Sequence, residues 1–158
     1  YIGKIARRLP QGIQERGKEI RTFMPKYGSI NERRHQLHEV IRLSGMNMVI
    51  NDVDHPLIIK VASIPTARMQ VYFIDNEEYF VRKSTLTDKS SGKYFDDNDE
   101  RAIFFARGVI ETVKKLGWQP SWSVEMAIEK TVQWQKAYQN DNDMRSFSLS
   151  QIQSFTNL

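Results

Sequence analysis

"MNMVINDVDHPLIIKVASIPTARMQVYFID" (residues 46–75) contains three apolar runs, MNMVIN, PLIIKVASI and MQVYFID, and their reading decides the fold. Each run is short and rich in Val, Ile, Tyr or Phe, which predicts β-strands. Pro56 and Pro65 bracket the middle one. Apolar and polar residues alternate only loosely, so both faces of the sheet are expected to be covered. The expected fold class is α/β, with a small, mainly parallel sheet flanked by helices.

Upstream, residues 2–17 read as a helix with Ile5, Leu9 and Ile13 four apart, kinked or restarted at Pro10 and ended by Gly17. KEIRTFMP then reads as a strand closed by Pro25, and INERRHQLHEVI as partly helical. Downstream, residues 77–99 are polar and predict a surface loop. Asp97 and Glu100 have the spacing of a capping box ahead of a helix carrying Ile103, Ala106, Ile110 and Val113, which ends near Gly117. Beyond Pro120, Ser123 is placed to cap a helix whose Val124, Ala127, Ile128, Thr131, Trp134 and Tyr138 share one arc. Such a face must dock on the sheet or on a partner. NDND breaks that helix, and SLSQIQSF adds a last turn or two.

A chain of 158 residues suits one domain plus an appendage. It has no cysteine, which excludes disulfides and thiolate metal sites and agrees with a reducing, cytoplasmic setting. No segment has the apolar length of a membrane span, so no membrane partner is expected. Its first residue is not methionine, which suggests an internal segment or a trimmed start. Of the net charge of +4, residues 1–34 carry +6, from nine Lys/Arg against Glu15, Glu19 and Glu32. The basic residues are not interleaved with aromatics and no helix-turn-helix pattern is present, which favours a solvated basic face over a nucleic-acid site.

Tyr79 and Lys83 share the Tyr-x-x-x-Lys spacing by which a lysine ammonium activates a tyrosine, but no glycine-rich dinucleotide loop precedes them. SSGKYF lacks the first glycine and the Ser/Thr of a phosphate loop, and reads as a turn. His35 and His38 could share a helix face, with Asp52, Asp54 and His55 as distant donors, yet the sequence gives no convergence on a metal. No serine lies in a nucleophile elbow. Aromatics crowd the central loop at Tyr72, Phe73, Tyr79, Phe80, Tyr94, Phe95, Phe104 and Phe105. Core packing accounts for most of them, while those beside Arg82 and the loop acids could line a carbohydrate cleft.

Three separated stretches resemble the bacterial glycogen and starch synthases. LPQGIQERGKEIRTFMPKYG carries the family's Leu-Pro, Arg-Gly and Pro-x-Tyr at Leu9, Pro10, Arg16, Gly17, Pro25 and Tyr27. VYFIDNEEYFVR resembles its strand ending in Asp with a Tyr-Phe-x-Arg loop, and YFDDNDERAIFFARGVIETVKKLGWQP its Asp-Asn-x-x-Arg helix running to Trp-x-Pro. The resemblance spans about residues 2–120 and implies a partial, Rossmann-like amino-terminal domain of a GT-B glycosyltransferase. Such enzymes transfer glucose from ADP-glucose to the end of an α-1,4-glucan. Tyr79, Arg82, Asp97, Asn98 and Arg101 match the family's motifs, which implies cleft support or substrate contact for them. A glucan acceptor and ADP-glucose are the implied partners, with no cofactor and no metal. The family's Lys-x-Gly-Gly loop would precede Tyr1, and its histidine-bearing strand and carboxyl-terminal domain are not found after Pro120. No catalytic residue is therefore carried over, and an inactive fragment is expected.

After Pro120 another pattern begins. Glu129, Lys130, Thr131, Val132, Trp134, Asp143, Met144 and Arg145 resemble the carboxyl end of CDP-glucose 4,6-dehydratases. Residues 116–120 fit both families, which implies a chimaera with its seam there and a helical tail over 121–158. A strand short of the family's sheet predicts self-association, through an exposed sheet edge or the tail helix. The alternatives in function are a sugar-nucleotide dehydratase fragment and a non-catalytic binding module.

Overall fold

A computed structural model describes residues 2–64 and 69–156; Pro65 lies outside the described residues. The chain divides into two units, Tyr1–Leu116 and Gly117–Leu158.

In the first unit, α1 (Ile2–Glu15) runs through Pro10 without the expected restart. The ring removes one helix N–H, and the helix continues on both sides of it. Gly17 ends it as expected, at φ 73°, with its N–H donating to Gln14 O at 2.9 Å. Five strands follow: β1 (Thr22–Pro25), β2 (His38–Glu39), β3 (Met46–Ile50), β4 (Val53–Ile64) and β5 (Met69–Asp75). Two helices complete the unit, the single-turn α2 (Glu77–Phe80) and α3 (Asn98–Lys115).

The sheet runs β1-β5-β4-β2, with β3 also paired to β4. Only β1 and β5 are parallel, Thr22 opposite Val71 and Pro25 opposite Ile74. The other three pairings are antiparallel. The expectation of a mainly parallel sheet is thereby corrected to a mixed one, and connection length is the reason. A parallel crossover needs a dozen residues or more, whereas β3 and β4 are joined by Asn51 and Asp52 alone. Both adopt left-handed backbone, φ 49° and 61°, in a two-residue hairpin turn.

Pro56 lies inside β4 rather than before it, opposite Asn47 of β3. Its carbonyl accepts from Asn76 Nδ2 at 3.0 Å, so its backbone polar side faces beyond the end of β5, where the ladder requires no N–H. The expected helix in residues 30–41 is also corrected. Residues 32–36 form a turn in which Asn31 Oδ1 accepts from Arg34 N, and Gln36 at φ 51° turns the chain into β2.

Both sheet faces are covered, as the weak alternation predicted. On one, Leu57, Ile59, Tyr72 and Ile74 pack with Leu43, Phe80 and Phe104. On the other, Ala62, Val71 and Phe73 pack with Met24, Ile30 and Leu37. Gly108 of α3 allows close approach: a Cβ there would stand 2.8 Å from Ile74 Cγ2 and 3.1 Å from Leu57 Cδ1.

In the second unit, α4 (Val124–Gln139) is capped by Ser123, whose Oγ accepts from Met126 N at 3.2 Å. Asp141 at φ 52° breaks the chain direction within NDND. α5 (Met144–Thr156) is a full helix of 13 residues rather than a last turn or two. Asp143 explains its start, accepting from the backbone of Arg145 at 3.0 Å and of Ser146 at 3.3 Å. Among the described residues no helix is long and apolar enough to cross a membrane.

Candidate functional site

The five family-matched residues gather at the carboxyl end of the parallel pair β1 and β5, the edge where open α/β sheets place ligand sites. Asn76 makes the junction after β5. Its Oδ1 accepts from Glu78 N at 3.0 Å and Tyr79 N at 3.1 Å, which starts α2 directly. One turn suffices to put Tyr79 and Phe80 inside, 3% and 2% exposed, and to send Arg82 back outward. Gly28, beyond β1, holds this turn from the other side: its N–H donates to Arg82 O at 3.0 Å. A Cβ on Gly28 would fall 1.8 Å from Val81 O, so only glycine permits that approach.

Arg82 then grips Asp97 through two parallel bonds of 2.6 and 2.7 Å. The guanidinium lies 4.5 Å from the centre of the Phe95 ring, adding a cation–π contact. The bond from Arg82 holds the Asp97 carboxyl below the usual range, and the same bond raises the guanidinium. Because its carboxylate is engaged there, Asp97 makes no side-chain cap on α3, and the expected capping box is corrected.

Arg101 points inward, 4% exposed. Its Nε donates to Tyr79 O at 2.8 Å and its Nη1 to Asn98 Oδ1 at 2.6 Å. Nη2 is buried with no hydrogen-bond partner among the described residues, and the guanidinium lies between the rings of Phe95, Phe80 and Tyr27 at 5.3–5.9 Å. Burial lowers its pKa. Asn98 completes the cluster by donating from Nδ2 to Leu86 O at 2.9 Å, which fastens the 82–97 loop to α3.

The geometry separates the five residues by reach. Tyr79 and Arg101 turn their polar groups inward and support the others. Arg82 and Asp97 on the loop and Asn98 at the start of α3 are partly exposed, and beside them Tyr94 is 73% exposed.

A second network, which the sequence reading did not assemble, lies beneath. His55 Nδ1 is 2.6 Å from Glu78 Oε2, and its Nε2 is 3.1 Å from the Tyr79 hydroxyl. That hydroxyl donates to Glu100 Oε2 at 2.9 Å, and Glu100 Oε1 accepts from Asn51 Nδ2 at 2.6 Å. The Tyr79 hydroxyl thus sits between His55 Nε2 and Glu100 and joins the two sides of the network. Burial first, and then the Glu100 bond, push the Tyr79 pKa up. This is opposite to an activated tyrosine, and Lys83 lies past the end of α2. The Tyr-x-x-x-Lys reading is therefore excluded by geometry. His55 was legible in one respect: in β4 it continues the buried series Leu57, Ile59 and Val61 at period two.

Beside the site, Lys60 bridges Asp75 Oδ2 and Glu32 Oε1, each at 2.8 Å, and Lys26 reaches Glu32 Oε1 at 2.6 Å. The bond from Lys26, then that from Lys60, lower the Glu32 carboxyl. Burial opposes the charge on Lys60, but the bonds to Asp75 and Glu32 outweigh it and raise its pKa. Asp88, in the polar loop, is held at about 2 by bonds from Ser90 and Ser91, and SSGKYF is the expected turn, with Gly92 at φ 70°. His35, His38, Asp52, Asp54 and His55 do not converge. Among the described residues no three His, Asp or Glu side chains are placed to hold a metal.

Such an α/β layer, with Arg82 on the loop at the carboxyl edge of its strands and Arg101 in the helix that follows, belongs to the architecture of a glycosyltransferase domain. The starch synthase catalytic domain family matches residues 2–124, and the chain belongs to that family. The chain is 44% identical to a glycogen synthase of Chlorobium limicola over 112 residues, 71% of this chain and 23% of that protein. It is 46% identical over the same length to the glycogen synthase of Chlorobaculum tepidum, and 41% to that of Pelodictyon phaeoclathratiforme, with the same coverage. The chain thus spans about a quarter of the length of these relatives. No matching solved structure was found.

Proposed function

We propose that the first unit is the acceptor-side portion of a GT-B enzyme that transfers glucose from ADP-glucose to an α-1,4-glucan. The single observation that carries this reading is the Arg82–Asp97 grip at the carboxyl edge of β1 and β5, with Tyr94 exposed beside it. A fixed carboxylate–guanidinium pair offers acceptors and donors to sugar hydroxyls, and an open ring offers a stacking face. Arg82, Asp97 and Asn98 face the glucan in this proposal, while Tyr79 and Arg101 position them. Because the chain spans about a quarter of its relatives, glucan binding without ADP-glucose turnover is expected of it alone. The cytoplasm, where sugar nucleotides are used, is the proposed location.

Electrophoresis through glycogen-containing native gels tests the reading. The protein should be retarded, and Arg82→Ala should weaken retardation about fivefold to tenfold through loss of charged hydrogen bonds. Unchanged mobility of the wild type in glycogen would reject it, and turnover of ADP-glucose by this chain would reject the claim of binding alone.

For the second unit we propose descent from the carboxyl end of a CDP-glucose 4,6-dehydratase. The support is the Glu129–Lys130–Thr131–Val132 and Trp134 series, the Asp143–Met144–Arg145 segment, and a starch synthase match that stops at residue 124. Superposition of α4 and α5 on such an enzyme's terminal helices tests it; different helix lengths and crossing would refute it. Self-association is proposed as well, with two surfaces in view. One is β1, which pairs only with β5 among the described residues; the other is the tail helix.

A further inference from the structure

The loop that carries the candidate site is tied together by its own backbone. Thr87 and Tyr94 form an antiparallel bridge across it, and beyond that bridge Asp88 N donates to Lys93 O and Gly92 N to Asp88 O, each at 2.8 Å. Phe95, next to Tyr94, is fixed on both sides: its N–H donates to Leu86 O at 3.1 Å and its carbonyl accepts from Asn98 N at 3.4 Å. Asn98 Nδ2 shares the Leu86 carbonyl at 2.9 Å. The half-buried Phe95 ring thus stands on backbone that is held at both ends.

That ring is shared by two cations. Arg82 Cζ lies 4.5 Å and Arg101 Cζ 5.3 Å from its centre. The two arginines use it differently. Arg82 is paired with Asp97, but its side chain is 34% exposed, and an ion pair so open to water holds its geometry weakly on its own. Arg101 is buried, its Nη2 has no hydrogen-bond partner among the described residues, and Asp97, the carboxylate that acts on its charge, is already gripped by Arg82. A ring face attracts a guanidinium, and does so more strongly where water is kept out. Phe95 therefore gives Arg82 a second hold and offsets part of the buried charge of Arg101. Among the described residues it is the one ring that touches both guanidiniums.

We propose that Phe95 is a positioning residue of the acceptor site. Its ring sets where the Arg82 guanidinium stands and, through the two parallel bonds, where the Asp97 carboxylate stands, while buried Arg101 anchors the ring. A guanidinium has five N–H donors, and two of these are spent on Asp97. The other donors, and the remaining lone pairs of Asp97, are left for sugar hydroxyls. Such an array selects hydroxyls by direction, and a guanidinium fixed before binding loses less freedom than one that swings. The ligand in this proposal rests on the glucan reading; the placement of Arg82 by Phe95 is testable without one.

Two measurements on the full chain test it. In the ligand-free, isotope-labelled protein the Phe95 ring current should hold the Arg82 Hδ and Hε resonances upfield. Phe95→Leu keeps apolar bulk and removes the ring, so these resonances should move downfield, and Phe95→Tyr should bring them back. In native gels containing glycogen, Phe95→Leu should weaken retardation about threefold, the worth of one partly exposed cation–π contact, while Phe95→Tyr behaves as the wild type does. Phe95→Met replaces the leucine variant should circular dichroism show that variant unfolded. Arg82 resonances left in place by Phe95→Leu would overturn the proposal, with or without glucan. Resonances that move while retardation stays at the wild-type value would overturn the role in acceptor binding, as would a tyrosine variant as weak as the leucine one. A wild type that glycogen does not retard rejects the glucan reading itself, and the ligand-free spectrum then still decides whether Phe95 places Arg82.

Discussion

Tyr79→Phe isolates one hydroxyl in the network beneath the site, and its cost follows from what each partner can do afterwards. The ring keeps its packing, with the Phe104 ring centre 5.4 Å away and the His55 ring centre 4.7 Å away, so little apolar burial changes. Glu100 is partly exposed and recovers water in place of the lost bond. His55 is 6% exposed and recovers nothing, leaving its Nε2 without a partner. A buried orphaned polar atom plus one lost bond costs about 2 kcal/mol. For a unit of 116 residues each kcal/mol moves the midpoint by about 4 °C, so a fall of about 8 °C is expected. Thermal and urea unfolding followed by circular dichroism measure it. Combining the change with His55→Ala should cost less than the sum of the two, by about 1 kcal/mol, because the orphan then no longer exists. A Tyr79→Phe protein melting within about 1 °C of the wild type, or strict additivity with His55→Ala, would refute the reasoning.

Acid should act on Asp97 next. Its folded pKa is lowered by the Arg82 bond, so its contribution is present above the unfolded value of roughly 4 and is lost as pH falls through the folded value. Asp97→Asn should therefore lower stability at neutral pH and flatten the acid limb of a stability profile; an unchanged limb would count against the pair. Gly28→Ala forces a methyl to within 1.8 Å of Val81 O and should destabilise by about 2 kcal/mol or more in urea unfolding, since backbone and not a side-chain tip must move. Wild-type stability in that variant would mean that the β1 and α2 junctions do not approach as described.

The strands were legible because runs such as PLIIKVASI carry β-branched residues over the right length, and the covered faces followed from their weak alternation. Strand direction was less so. It rests on the two-residue Asn51–Asp52 turn, which carries no glycine to announce a left-handed backbone. The prolines misled: Pro10 was read as a kink or restart, yet α1 continues through it, and Pro56 was read as a boundary, yet it sits in β4 where the ladder requires no N–H. In the candidate site, the Asp97, Asn98 and Arg101 spacing marked one stretch of chain, but their division into inward and outward groups depends on packing. Burial turns Arg101 toward the Tyr79 carbonyl, and the competing bond to Arg82 takes Asp97 from its cap. His55, Glu78 and Glu100 lie 22 to 45 positions apart in the chain and meet only once β4, α2 and α3 are assembled.

The most direct test of the proposed acceptor surface is a titration of the isotope-labelled chain with maltoheptaose, followed by amide NMR, with ADP-glucose in a parallel sample. Saturable shifts are expected at Arg82, Tyr94, Asp97 and Asn98 with the glucan, and few at β3 or in α5. A well-dispersed spectrum that stays unmoved by the glucan, or that shifts only away from the 82–98 loop, would contradict the account.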